Sequence, residues 1–121
     1  MARRPLPPVA TVVGFIDCIN RGDLEGLAEL MHPEHRLLVA DVPPVVGREA
    51  NVEAWRGYFG AFPQYVIHPR SFATDGNRVT VLGATTGSHL GLPDDAELAL
   101  GVVWIGEVRD GLLTLWQVDD E

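Results

Sequence analysis

Asp41 and His89 are two titratable side chains placed at the ends of predicted strands, where acid/base chemistry is possible. Asp41 precedes a proline pair and His89 precedes a predicted turn. Each has a simpler alternative, because aspartate caps loops through local hydrogen bonds and histidine is common at strand ends on the surface. His32, His35 and His68 are expected to be turn or surface residues. The residues alone leave the role of Asp41 and of His89 open.

A metal site is not expected. The segment His32-Pro33-Glu34-His35 superficially suggests a pair of metal ligands. However, a proline between the histidines prevents the helical i, i+4 presentation of a zinc-protease motif. The chain has one cysteine, Cys18, which lies in an apolar helical stretch and is expected to be a buried thiol. We therefore expect no metal, no cofactor and no internal disulfide.

Five aromatic residues are the candidate contacts of an apolar ligand: Phe15, Trp55, Tyr58, Trp104 and Trp116. Phe15 widens the apolar stripe of the first predicted helix, and Trp55 and Tyr58 share the apolar face of the third. Large rings of this kind either line a ligand cavity or fill a core. For each tryptophan taken singly, the core interpretation is the simpler one.

Three helices are predicted in the first half of the chain. Apolar residues at helical spacing run from Val9 to Ile19, and Asn20-Arg21-Gly22 ends that helix. Asp23 is placed to cap a second, short helix by accepting bonds from its free N–H groups. The third helix is predicted over Gly47–Phe62 and is stopped by Pro63.

Strand patterns dominate after that helix. A proline at position 69 implies an edge strand or a bulge, and an Asp-Gly pair in each of two turns favours tight hairpins. Helices followed by a meander of strands predict an α+β fold with an antiparallel (mixed) sheet and no helix between Arg78 and Asp119. The predicted strands are Arg36–Asp41, Tyr65–Ala73, Arg78–His89, Glu97–Val108 and Leu112–Asp119, with a loop at Leu90–Ala96.

The composition describes one globular domain over residues 1–121, with 46% hydrophobic and 21% charged residues. The formal net charge of −8, with arginine as the only basic side chain apart from histidine, argues against nucleic-acid binding. No apolar run long enough for a membrane span or a signal peptide follows Arg3-Arg4. We therefore expect a cytoplasmic protein with no nucleic-acid or membrane partner.

Several segments, in order along nearly the whole chain, resemble the SnoaL-like polyketide cyclases of the nuclear transport factor 2-like superfamily. That superfamily also contains ketosteroid isomerase and limonene epoxide hydrolase. The similar segments are Asn20–Leu24, Gly47–Ala50, Ala61–Pro63, Thr86–Pro93, Arg109–Leu112 and Trp116–Asp119. Gln64 departs from the acidic residue that the family has after its Phe-Pro pair.

The resemblance implies a strongly curved sheet wrapped with three helices into a cone around a central pocket. It also implies acid/base work on an apolar carbonyl compound, with Asp41 at the position of the base and His89 at the position of a sheet histidine. Phe15 stands where ketosteroid isomerase has a tyrosine, and Trp104 where the family has an aspartate. The oxyanion hole of the isomerase is therefore missing here.

Three functions follow as hypotheses. The leading one is a cofactor-free isomerase or cyclase of the SnoaL-like kind that uses Asp41 and His89. The alternatives are a non-catalytic binding domain for an apolar small ligand and a dimeric scaffold module. A homodimer is expected in each case, because the outer face of a four- to five-stranded sheet is more than three helices can cover.

Overall fold

The computed structural model describes residues 7–120, and side chains of residues 7–119. Three helices come first: α1 (Pro8–Arg21), α2 (Leu24–Leu30) and α3 (Arg48–Ala61). Gly22 ends α1 in the left-handed conformation, at φ 65°, and the Asp23 carboxylate caps α2 by accepting a bond from the Gly26 amide. The predicted helices and the predicted cap are confirmed.

The sheet has six strands in the order β2-β1-β6-β5-β4-β3. All neighbours are antiparallel except β1 and β6, which run parallel. The predicted class, α+β with three N-terminal helices on a mixed sheet, is confirmed. The strands are β1 (Met31–Val39), β2 (Val45–Val46), β3 (Val66–Asp75), β4 (Arg78–Thr86), β5 (Val102–Arg109) and β6 (Leu112–Asp120).

Pro69 behaves as predicted. It lies on β3, an edge strand, next to a register shift between Pro69 and Ser71. Proline has no N–H to donate, and sheets accommodate it at edges and bulges of this kind. Three other details were predicted wrongly. Strand β1 begins at Met31 rather than Arg36 and tolerates Pro33 through its own register shift. A two-residue strand, β2, follows the proline pair, which was expected to end pairing.

The third error is a short helix, α4 (Asp94–Leu98), where a loop and the start of a strand were predicted. Strand β4 accordingly ends at Thr86 rather than His89, and β5 begins at Val102 rather than Glu97. A five-residue helix leaves too little apolar periodicity to be recognised in a sequence. This helix matters for the site, because it brings Glu97 into contact with β4.

The inner face of the sheet packs against α1, α2 and α3. Phe15, Leu27, Trp104 and Trp116 are all fully buried in this core. Gly106 allows α1 to lie close to β5, since a Cβ atom there would lie 2.9 Å from Val12. Within residues 7–120, no helix is long and apolar enough to cross a membrane.

Candidate active site

Tyr58 and His89 form a hydrogen-bonded pair where α3 and β4 both end. Tyr58 Oη lies 2.9 Å from His89 Nδ1, and the backbone amide of His89 donates to the same oxygen at 3.3 Å. Gly87, at φ 68°, turns the chain after β4 and so directs His89 towards α3. A Cβ atom at Gly87 would lie 2.3 Å from the Gln64 carbonyl oxygen, so this turn requires glycine.

Glu97 is a buried carboxylate beside this pair. Its residue is 1% exposed, although its α4 neighbours Asp94 and Asp95 are exposed. The carboxylate accepts hydrogen bonds from the Thr85 hydroxyl and, at 3.4 Å, from the Ser88 amide. Burial raises the pKa of Glu97, but the bonds from Thr85 and Ser88 outweigh it, so the pKa lies below its ordinary value. Glu97 is therefore ionised at neutral pH.

Tyr58 and Tyr65 keep their protons at neutral pH. Burial raises the pKa of both phenols, and the Glu97 charge adds to the effect. Their rings meet edge to face at 4.9 Å. Tyr58 is thus a hydrogen-bond donor rather than an anion. We call Tyr58, Tyr65, His89 and Glu97 the rim cluster.

A notch of about 230 Å³ adjoins the rim cluster, between the ends of α1 and α3. Tyr65 belongs to both, and Phe62 lies 4.8 Å from the Tyr58 ring on the notch side. The notch is lined by Ile19, Asn20, Arg21, Gly22, Phe59, Phe62, Pro63 and Tyr65. Its aromatic walls suit a small apolar group, and the rim cluster supplies polar groups at one side.

The predicted site residues fall into three places. His89 and Tyr58 lie together in the rim cluster. The other four aromatic candidates lie in the core: Phe15, Trp104 and Trp116 are fully buried and Trp55 is 8% exposed. The core interpretation of the tryptophans therefore matches the structure, although Trp55 also contacts Tyr58, with ring centroids 6.1 Å apart.

Asp41 occupies a different position from the one expected. It lies in the turn after β1, is exposed, and adopts a left-handed φ of 65°. The resemblance put the base of a central pocket at this position, but the residue lies in solvent. Asp41 does lie at the same end of the sheet as His89, but β6 and β5 separate their strands. Its catalytic role stays a prediction.

His35 was expected on the surface and is instead fully buried on the inner face of β1. Its Nδ1 lies 3.0 Å from the Leu113 carbonyl oxygen. A carbonyl only accepts, so Nδ1 carries the proton and Nε2 keeps its lone pair. Burial lowers the pKa of His35 to about 4, so the ring is neutral at physiological pH. The expectation failed because His35 sits between polar residues, with no apolar alternation to place it inside.

Glu97 is the other site residue that the sequence did not reveal. It follows two exposed aspartates in a segment with no clear period, so nothing distinguished it from a solvated acid. Within residues 7–119, no group of three or more His, Cys, Asp or Glu side chains could hold a metal ion. Cys18 is buried as predicted, and burial raises the pKa of its thiol.

A larger groove, of about 630 Å³, lies on the outer side of the sheet. Its charged walls include Glu34 and Arg109, 3.5 Å apart, and Glu107, which pairs with Arg78 at 3.0 Å. These charges neutralise one another in solvent, and such exposed ion pairs add little energy. We place the candidate site at the smaller notch because Tyr65 of its wall belongs to the rim cluster, in which Tyr58 and His89 meet beside the buried Glu97.

The family model described as a SnoaL-like domain matches residues 12–116. Three solved structures share the fold. A candidate polyketide cyclase from Sinorhizobium meliloti is 20% identical with a TM-score of 0.78, covering 94% of this chain and 95% of that one. A candidate ketosteroid isomerase from Kribbella flavida is 20% identical with a TM-score of 0.72, covering 92% and 75%.

The third is TerC, co-crystallised with polyporic acid, which is 19% identical with a TM-score of 0.76 and covers 96% and 92%. At these identities the likeness concerns the fold. No curated protein sequence matches the chain significantly.

Proposed function

The chain belongs to the SnoaL-like domain family, and on that premise we propose that it is an enzyme. It transfers protons on a small, largely apolar carbonyl compound that binds at the notch and the rim cluster. The reaction class is isomerisation or cyclisation through an enol or enolate, with no cofactor. The observation that carries this proposal is the 2.9 Å contact between Tyr58 Oη and His89 Nδ1, beside the buried Glu97.

The hydrogen bonds of Tyr58 allow one proton arrangement that suits this chemistry. A phenol oxygen accepts up to two bonds and donates one. If Nδ1–H and the backbone amide of His89 both donate to Oη, the phenol proton is left for a substrate oxygen. Nε2 of His89 then carries a free lone pair. One group donates and the other accepts a proton, within a single substrate's reach.

The proposed reaction has two proton transfers. His89 Nε2 removes a proton from the carbon next to the carbonyl, and the electron pair of that C–H bond moves towards the carbonyl oxygen. Tyr58 O–H stabilises the charge that develops on this oxygen. His89 then returns the proton to another carbon, which completes an isomerisation. The ionised Glu97 lies beside the pair during both transfers.

Asp41 remains an alternative base. Its turn lies at the same end of the sheet as His89, and the family resemblance puts the base at this position. It is exposed, as His89 is, but none of the described contacts places a hydrogen-bond donor such as Tyr58 beside it. We therefore assign the proton-accepting role to His89 and retain Asp41 in the test.

A second candidate function is ligand binding without catalysis. It is favoured by the core, in which Phe15, Trp104 and Trp116 are fully buried where the resemblance implied a central pocket. A protein with a filled interior and a small outer notch binds a ligand without enclosing its reacting atoms. Catalysis gains most where water is excluded, so this arrangement weakens the enzymatic candidate.

Proton exchange tests the proposal without knowledge of the natural substrate. The probe is 2-tetralone, an aromatic ketone with acidic α-protons, followed by proton NMR in D₂O. We expect the protein to accelerate α-exchange above the buffer rate. Tyr58→Phe should lower that rate by roughly 10²–10³ and His89→Gln by roughly 10²–10⁴. His68→Gln is the control. The His68 ring forms a hydrogen bond of 2.9 Å with the Thr86 hydroxyl and, among the described contacts, none with the rim cluster.

The outcomes separate the candidates. Wild-type exchange rates in folded Tyr58→Phe and His89→Gln would show the acid/base proposal to be wrong. A loss in Asp41→Asn alone would transfer the role of the base to Asp41. Tight binding of 2-tetralone with no acceleration in the wild-type protein would favour the binding domain.

A further inference from the structure

We propose that the groove on the outer side of the sheet is a second binding site. Its ligand is a small compound that carries one oxyanion group, a carboxylate or a phosphate, on an apolar body. Arg36 is the residue that binds the oxyanion. The groove shares no lining residue with the notch, and no member of the rim cluster lines it. The inference therefore goes beyond the proposed function and does not depend on it.

Arg36 is exposed and has no described partner. Within residues 7–119 it neither donates a side-chain hydrogen bond nor forms an ion pair, in a chain that has 17 acidic residues and 9 basic ones. Every other arginine whose side chain is described donates to a carboxylate or to a backbone carbonyl. These are Arg21, Arg56, Arg78 and Arg109, which pair with acids, and Arg48 and Arg70, which donate to carbonyls.

The register of the sheet fixes the surroundings of Arg36. It lies on β1 opposite Val46 of β2 and opposite Leu115 of β6. His35, the residue before it, is buried in the core, so Arg36 and its two neighbours lie on the outer face. Val46 is 62% exposed. A cation beside an open apolar side chain suits a ligand with an anion at one end and an apolar body next to it.

The acids of the groove are already paired. Glu34 lies 3.5 Å from Arg109. Glu107 lies 3.0 Å from Arg78, on the strand next to its own. Strand β6 separates Glu107 from Arg36, which places the two backbones about 10 Å apart across the sheet. The charge of Arg36 is therefore left over, and the groove is locally positive although the whole chain carries −8.

His32 and Arg109 add donors at one wall of the groove. The backbone N–H of Glu34 donates to His32 Nδ1 at 3.0 Å, so this nitrogen holds a lone pair and the ring proton lies on Nε2. Nε2 lies 3.2 Å from Arg109 Nη2, and both of these groups then donate. The described acceptor near them, the Glu34 carboxylate, is 3.5 Å from Arg109 Nη2, at the long end of hydrogen-bond distances. An oxyanion supplies the acceptor that these two donors need.

The groove has room for such a compound. Its volume of about 630 Å³ lies within the range of roughly 300–1,000 Å³ that is typical of ligand pockets. A second hollow of about 470 Å³ continues it, and the two share Pro33, Val46 and Gly47. The apolar body of a ligand held at Arg36 therefore has space beside Val46.

The test uses three probes that share one alkyl chain and differ in the head group: hexanoate, hexyl phosphate and hexanol. We would titrate each at neutral pH into ¹⁵N-labelled protein and follow the backbone amides of the groove and the ring nitrogens of His32. Arg36→Gln is the test variant, and because the residue is exposed the fold should survive the change. Arg56→Gln is the matched control, since Arg56 is an exposed arginine on α3 that pairs with Glu53.

We expect hexanoate or hexyl phosphate to bind at the groove and hexanol to bind more weakly. Tighter binding of hexanoate would identify a carboxylate ligand, and tighter binding of hexyl phosphate would identify a phosphate ester. Arg36→Gln should weaken the binding of the tighter anion about five- to tenfold, and Arg56→Gln should leave it unchanged. In the wild-type protein the anion, and not hexanol, should shift the ring signals of His32.

Three results would overturn the inference. Equal affinity for hexanol and for both anions would mean that no cation takes part in binding. Unchanged anion binding in Arg36→Gln would exclude Arg36. An equal loss in Arg56→Gln would show a non-specific attraction to any arginine. Proton exchange at Tyr58 and His89 is measured separately and uses neither arginine, so this inference and the proposed function can fail independently.

Discussion

The Glu97 carboxylate and the Thr85 hydroxyl form a buried hydrogen bond that fastens α4 to β4. Together with the bond from the Ser88 amide, it holds the Glu97 charge of this largely exposed five-residue helix next to Tyr58 and His89. The rim cluster therefore depends on α4 being docked. A hydrogen bond to a charged acceptor is also stronger than a hydrogen bond to a neutral one.

Removing the Glu97 carboxylate should destabilise the fold. Glu97→Ala is expected to lower the free energy of unfolding by about 2–3 kcal/mol, because Thr85 and the Ser88 amide are left buried without an acceptor. Urea denaturation at pH 7 measures this loss. Asp94→Ala, an exposed acid on the same helix, is the control and should change stability by less than about 0.5 kcal/mol. Equal effects would show that α4 is not fastened by Glu97.

The same carboxylate should make the stability of the fold sensitive to acid. The pKa of Glu97 is lower in the folded than in the unfolded chain, so the unfolded state binds more protons at low pH. Its stabilising contribution is complete above the ordinary glutamate pKa of about 4.5 and is lost as pH falls through the lower, folded value. Urea midpoints of wild type and Glu97→Gln should therefore converge as pH falls below about 4.5. A constant gap down to the lowest pH at which both fold contradicts this.

His35 should also reduce stability as the pH drops, and it should do so in a higher pH range than Glu97 does. Its folded pKa, about 4, is below the ordinary 6.5, so the unfolded chain protonates first as the pH drops. Stability is full above about pH 6.5 and declines down to about pH 4, at up to about 1.4 kcal/mol per pH unit. Denaturation between pH 7 and pH 4.5 should show this slope in wild type and in His32→Asn, and lose it in His35→Asn. A slope of the same size in His35→Asn would assign it to other groups.

Two glycine-to-alanine changes should alter the stability of the fold in opposite directions. Gly57 lies exposed within α3 with no atom within 4 Å of a new Cβ, so Gly57→Ala should stabilise by about 0.5–1 kcal/mol. Gly106 faces α1, and a Cβ there would lie 2.9 Å from Val12 and 3.3 Å from Leu113. Gly106→Ala should therefore destabilise by about 1–3 kcal/mol. Melting temperatures of the pair decide this, and a gain in both would mean that α1 is free to shift.

The predicted homodimer remains to be measured. Ile105 and Val103 alternate with the buried Trp104 on β5 and so lie on the outer face, where Leu82 of β4 is 39% exposed. Burial of such residues between two copies would stabilise a dimer. Light scattering should give twice the 13.2 kDa of one chain for the wild-type protein, and Ile105→Asp should yield monomer. Val13→Asp, on the exposed side of α1, should stay dimeric; a wild-type monomer at micromolar concentration would refute the prediction.

The helical half of the fold was predictable because its signals are local. The apolar stripe of α1, the stop at Gly22 and the cap at Asp23 are all encoded within a few residues. The switch to strands, the bulge at Pro69 and the tight turn at Asp110 follow equally from neighbouring residues. Periodicity and turn chemistry need no tertiary contact, which is why the α+β class and the three N-terminal helices were predicted correctly, whereas the two-residue β2 and the five-residue α4 were missed.

The site was only partly predictable, because its members come from distant parts of the chain. Resemblance singled out His89, and an apolar helix face singled out Tyr58, but 31 positions separate them and only the fold makes them a pair. Glu97 and His35 carry no local signal. One is drawn inside by a short helix and the other by the register of β1 against β6, while Asp41, equally prominent in sequence, is left in water. Burial is decided by which surfaces meet, and the tertiary structure alone determines that.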